Sequence, residues 1–235
     1  MDRKEWAWQW TLRLAGCAGI VAALLAVMGD VLSQYSPQGY ASPEAVERAM
    51  PFWRLLSGEL LGVIGIPLCL FGYWCVCQVL RREGVRGTGV MFWLIAFGLA
   101  MGVVSHAIIS SVYIVMQAGD PATVQRITGN LQLAALLPGL LFLLGYLAFS
   151  AWYLVVVLFG RDQSRPYPRW LAFVNPFLLS LLIALLNAAH VAPSVLNVLW
   201  PAWLSVPHLV FFTLATLLLW NVGEPRGSAA TENPF

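Results

Sequence analysis

The sequence predicts an all-α polytopic membrane protein on three observations: six long apolar stretches, ten per cent charged against sixty per cent hydrophobic residues, and a one-sided distribution of Lys and Arg. Soluble domains carry about a quarter charged residues, so lipid is the expected solvent for most of this chain. One bilayer takes about 20 apolar residues, and six such stretches in 235 residues leave only short connectors, with no room for a water-soluble catalytic domain. The formal charge of +2 is spread over short loops and is not gathered into a basic stripe interleaved with aromatics. That pattern argues against nucleic acid as a partner.

The apolar runs predict transmembrane helices over 12–34, 52–80, 89–117, 131–159, 170–190 and 202–221, forming one six-helix domain over residues 1–222. Ahead of the first, Leu14-Ala15-Gly16-Cys17 matches a lipoprotein cleavage pattern, but the long apolar run follows the site instead of preceding it. An uncleaved first span is therefore expected. Two outer connectors carry a similar phrase, Ser42-Pro43-Glu44-Ala45-Val46-Glu47-Arg48 and Asp120-Pro121-Ala122-Thr123-Val124-Gln125-Arg126. A Ser or Asp followed by Pro starts helices, so each predicts a short interfacial helix on the outer surface. Their matching offset fits either duplicated hairpins or chance. The tail 223–235, with Pro225, Gly227, Ser228 and Asn233, reads as disordered.

Six spans put both ends on one side. Arg3, Lys4, Arg13, Arg81, Arg82, Arg86, Arg161, Arg165, Arg169 and Arg226 fall on that side, against Arg48, Arg54 and Arg126 on the other. Ten against three, under the positive-inside rule, predicts cytoplasmic N- and C-termini in a plasma membrane. Tryptophans agree, with Trp6, Trp8, Trp10, Trp170 and Trp220 at the inner interface and Trp53, Trp200 and Trp203 at the outer one. The four cysteines, Cys17, Cys69, Cys75 and Cys77, lie on spans, so they suggest apolar filler and no disulfide framework.

Asp30, Glu59, His106 and His208 lie inside four different spans, and all four come out roughly 6–10 Å below the outer boundary. A charged residue at mid-membrane costs about 2.5–3.5 kcal/mol, so pairing or a water-filled cavity is expected. Small residues share their helical faces: Gly98 and Gly102 precede His106, and Gly62 follows Glu59. Such residues mark close helix approach. Ser105, Ser110, Asn187 and Ser205 add polar atoms at similar depth, Pro207 loosens the helix beside His208, and His190 sits at the outer mouth.

Three readings compete for this cluster. It lines an outward-biased pocket that binds or translocates a lipid-like or small apolar ligand; or Asp30, Glu59, His106 and His208 hold a metal, zinc first, for hydrolysis of a lipid or amide; or the network only fixes helix packing. No His-x-x-x-His or His-Glu-x-x-His spacing supports the metal. Haem ligation by His106 and His208 has no further sequence feature behind it. Ser105 and His106 point about 100° apart on a helix, which makes them a poor nucleophile pair. Arg54 either binds a lipid phosphate or carboxylate or snorkels to the interface. Gly58, Gly62 and Gly65 form a packing face, used within the bundle or in a homodimer. Membrane lipid and a small amphiphile are the expected partners.

The run Pro168-Arg169-Trp170-Leu171-Ala172-Phe173-Val174-Asn175-Pro176, with Gly29-Asp30 and Phe52-Trp53-Arg54, resembles a bacterial multi-span inner-membrane family of unknown function. The resemblance implies six helices and carries no activity. Intramembrane hydrolases of the alkaline ceramidase type are loosely similar in using Asp and His near one face. This chain departs from them in predicting six spans, not seven, and in lacking paired histidines on the last helix.

Overall fold

The computed structural model describes residues 3–35, 50–118, 120–160, 167–191 and 199–222. Among these residues all regular structure is helical: α1 (Arg3–Gln34), α2 (Phe52–Leu68), α3 (Leu70–Arg82), α4 (Thr88–Ala118), α5 (Pro121–Phe159), a 3-10 turn η1 (Arg169–Val174), α6 (Pro176–Ala188), a second such turn η2 (Trp200–Ala202) and α7 (Ser205–Val222). Four rods are long and apolar enough to cross a membrane: α1, the pair α2–α3, α4 and α5. Leu14, Trp93, Leu133, Leu137 and Phe159 are exposed on them, a surface that suits acyl chains.

The last two apolar stretches are shorter than expected. Asn175 interrupts 170–190: it is extended at ψ 149°, as a residue before proline prefers, and its side chain accepts from Leu178 N–H to cap α6. That leaves α6 with 13 residues, about 20 Å at 1.5 Å per residue, against a core of about 30 Å. Its C-terminus closes with His190 at φ 53° and the bond Val191 N–H to Leu186 O of a Schellman cap. α7 has 18 residues.

Of the two expected interfacial helices, 42–48 lies outside the described residues, as does the tail 223–235. The other is corrected. Asp120 does start a helix, its Oδ1 accepting Ala122 N–H at 3.1 Å, but the helix runs on unbroken for 39 residues to Phe159. It passes through Gly129 and Asn130 without a break, so the phrase forms the first turns of α5.

The helices α2, α3 and α7 pack around α1, while α4 and α5 pair along their length and join through α2 and α3. The contact between α1 and α2–α3 is nearly backbone on backbone. A Cβ on Gly29 would stand 2.7 Å from Gly58 O and 2.8 Å from Gly62 N, one on Gly65 would stand 2.7 Å from Ala26 N, and one on Gly19 would meet Gly72 Cα at 2.5 Å. Lipid tails supply no hydrophobic drive between helices, so association relies on such close van der Waals packing. The glycine face over Gly58, Gly62 and Gly65 is used within the bundle, Gly58 and Gly65 against α1 and Gly62 against His106 of α4. Between Gly65 and Leu70 the rod tightens at Pro67, where Cys69 N–H is shared between Gly65 O and Ile66 O.

The end of the bundle that holds the start of α1 is tied by charge and rings. Arg82 pairs with Glu5, and Arg13 lies over the Trp10 and Trp220 rings at 5.6 and 5.0 Å while reaching Trp220 O. The start of α1 and the end of α7 thus share one end. Overpacking a tight contact costs about 1–3 kcal/mol, so Gly29→Ala is expected to lower the melting temperature in detergent. Gly129→Ala, with nothing within 4 Å of the added carbon, is expected to gain up to about 1 kcal/mol from helix propensity; circular dichroism melts compare the two.

Candidate functional site

Asp30 follows Gly29 near the C-terminal end of α1, and Ser205 opens α7. Their contact joins the two helices: Ser205 Oγ donates to Asp30 Oδ2 at 2.5 Å. One turn on, His208 is buried and both ring nitrogens are engaged. Nδ1 lies 2.7 Å from Leu204 O; a carbonyl only accepts, so Nδ1 carries the hydrogen. In the neutral ring Nε2 then accepts from the Tyr73 hydroxyl at 2.8 Å. Tyr146 stacks on the imidazole at 5.1 Å and 12°, and its own hydroxyl meets Ser180 Oγ at 3.2 Å.

His106 comes from α4 and lies directly on Gly62, where an added Cβ would collide with Nε2. That slot lets the imidazole reach across α2 to Glu59, one turn earlier, with Nε2 and Oε2 3.5 Å apart. The two atoms face each other at ion-pair distance without the alignment of a hydrogen bond, so both stay buried and unsatisfied. Beside His106, Ser105 Oγ donates to Ala135 O at 3.2 Å, in the turn of α5 that Pro138 loosens.

A cavity of about 360 Å³ is lined by Asp30, Ser105, His106, Ser205 and His208 together with apolar groups that include Phe142 and Trp203. A larger groove of about 680 Å³ runs beside it between α4 and α5, walled by Ile109, Val112, Met116, Leu136, Leu140 and Leu143. Ser105, Ile109, Phe142, Trp203 and Leu204 line both.

Of the seven residues expected around one pocket, Asp30, Ser105, His106 and His208 line the cavity. Glu59 stands behind His106. Arg54 is placed elsewhere: its Nη2 donates to Tyr35 O at 3.0 Å and Val31 O at 3.4 Å, satisfying carbonyls at the end of α1. Asn187 lies in the last turn of α6, away from the cavity lining.

Both ring nitrogens of His208, one of the four residues expected as a metal set with Asp30, Glu59 and His106, are engaged within the protein, Nδ1 by Leu204 O and Nε2 by the Tyr73 hydroxyl. Among the described residues no three His, Cys, Asp or Glu side chains gather as a ligand group. Tyr73, Tyr146, Phe142 and Trp203 were missed. Tyr146 and Tyr153, seven residues apart inside an apolar stretch, were the available signal for a polar-tipped buried face.

Losing a buried partner costs about 1–3 kcal/mol, so Tyr73→Phe, which strands His208 Nε2, is expected to destabilise by that amount. Tyr153→Phe is expected to be neutral or stabilising, because the buried Tyr153 hydroxyl has no partner among the described residues. Parallel thermal melts in detergent read the difference, and equal losses would refute the assigned bond.

Comparison with known proteins adds a family and no activity. No curated protein and no solved structure matches the chain. A family profile described as "Family of unknown function (DUF6796)" matches residues 1–221, and the chain belongs to that family.

Proposed function

We propose that this chain is a membrane-embedded binding protein for an amphiphile, which places its polar end in the small cavity and its alkyl chain in the groove beside it. The observation that carries the reading is the shared wall: Ser105, Ile109, Phe142, Trp203 and Leu204 border both a cavity that carries Asp30, His106, Ser205 and His208 and a groove walled mainly by aliphatic side chains. Ligand sites combine that apolar enclosure with a few convergent polar groups. His106 and Glu59 add buried polar atoms with unmet hydrogen-bonding capacity beside it.

Binding is favoured over translocation by the layer beneath. Tyr73, Phe149, Tyr153, Phe211 and Phe212 are all buried, and their rings contact one another in a continuous aromatic core. That core stands between the cavity and the end where Arg13 meets Trp220.

In this reading η1 together with α6, and η2 together with α7, complete six crossings of a bacterial inner membrane, with both termini cytoplasmic, the 3-10 turns adding about 2 Å per residue to each short helix. The ten-to-three division of Lys and Arg supports it. So does the shared end of α1 and α7. The cavity then opens in the outer leaflet, with membrane lipid as the surrounding partner.

An alkyl ligand carrying a diazirine on its chain is expected to label α4 and α5 around Ile109, Met116 and Leu140. Even labelling of lipid-facing positions such as Leu14 and Leu94 would sink the proposal. Leu140→Trp narrows the groove at a half-exposed position. It is expected to weaken saturable binding of a long-chain ligand about ten-fold, or about 1.4 kcal/mol, while the melting temperature stays within a few degrees.

A further inference from the structure

A head group entering the cavity meets the Asp30 carboxylate, the Gln34 carboxamide, the Cys69 thiol, two hydroxyls, two imidazoles and the rings of Phe142 and Trp203, and no Lys or Arg among the described residues that line it. Arg54 is committed to the Val31 and Tyr35 carbonyls at the end of α1. Glu59 stands behind His106 as a second carboxylate. No Lys or Arg in that lining would offset the charge of a phosphate, sulfate or carboxylate set beside Asp30, and burying an unpaired charge is costly. Anionic heads are therefore disfavoured.

A cation meets the opposite field. Ser205 donates to one oxygen of Asp30, and a carboxylate accepts at both. Phe142 and Trp203 line the same space, and aromatic faces attract ammonium groups, Trp most strongly. Both rings are held by stacked neighbours: Phe142 on Tyr146 at 5.5 Å and 14°, Trp203 on Trp200 at 5.6 Å and 17°. The rigid pairing lowers the ordering cost of binding.

We infer, on the strength of the amphiphile reading above, that the ligand's polar end is an ammonium group bound between Asp30 and the Phe142 and Trp203 rings. The ligand class is a cationic amphiphile without a phosphate, because the lining holds nothing to neutralise one.

Three probes sharing a dodecyl chain test it by titration calorimetry on the full chain in maltoside micelles: dodecyltrimethylammonium, dodecanol and dodecyl phosphate. The ammonium is expected to bind saturably and about ten-fold more tightly than dodecanol, with the phosphate weakest. Asp30→Asn keeps an acceptor for Ser205 and is expected to erase the ammonium's advantage while leaving dodecanol within about two-fold. Phosphate binding as tight as ammonium, or an undiminished preference in Asp30→Asn, overturns the head-group assignment. Saturable dodecanol binding in that case leaves the amphiphile reading standing. No saturable binding by any of the three sinks both. Should Asp30→Asn fail to fold, the wild-type ranking of ammonium against phosphate decides.

Discussion

Close approach of α1 to α2 is the constraint on which the rest of this molecule depends. Gly29 and Gly58 press backbone against backbone, and each is followed directly in sequence by a carboxylate, Asp30 and Glu59. One tight crossing thereby delivers two acidic side chains to the same level of the bundle. The third glycine of the contact, Gly62, supplies the slot in which the His106 ring lies against Glu59. In an apolar solvent helices gain little by hiding leucines from one another, so small residues do the joining. Here the same small residues locate the polar groups.

The polar cluster divides into two halves with different physics. His208 hydrogen-bonds Tyr73 and the Leu204 carbonyl, and Tyr146, stacked on the His208 ring, hydrogen-bonds Ser180, all inside an aromatic core. A satisfied network of that kind stabilises and specifies packing. Asp30, Ser205, Ser105 and His106 border open space, and the Glu59–His106 pair keeps unsatisfied atoms. The first half supports the packing reading, and the proposed binding rests on the second, with His208 bordering both.

The groove beside the cavity owes its existence to α5. Pro138 weakens the ladder near Ala135, and Ser105 binds the Ala135 carbonyl from α4. Gly139 faces that hydroxyl, where an added Cβ would stand 3.1 Å away. The small residue keeps the junction narrow and free of side chain, while Leu136, Leu140 and Leu143 wall the groove. An apolar channel running into a polar cavity is a shape that suits a molecule with one wet end and one oily end.

Solvent class was legible from composition, because burial in lipid demands apolar runs that no soluble domain carries. The first four long helices and the glycine faces were readable for the same reason: hydropathy and small-residue spacing are local properties. Helix breaks were less so. Asn175-Pro176 stops a run that reads as continuous, while Asp120-Pro121 begins a helix that no residue then ends. Asp30, Ser105, His106 and His208 were identifiable as candidates because ionisable or polar groups in spans are costly and stand out. Their partners were not. Tyr73, Phe142 and Trp203 look like ordinary filler or interface anchors in sequence, and Arg54 looks like a ligand until its guanidinium is seen on the α1 carbonyls. Sequence alone determined which residues the membrane would not tolerate unpaired. Only the tertiary structure decided which of them found partners, since a hydrogen bond depends on angstrom-scale placement across helices that no local pattern encodes.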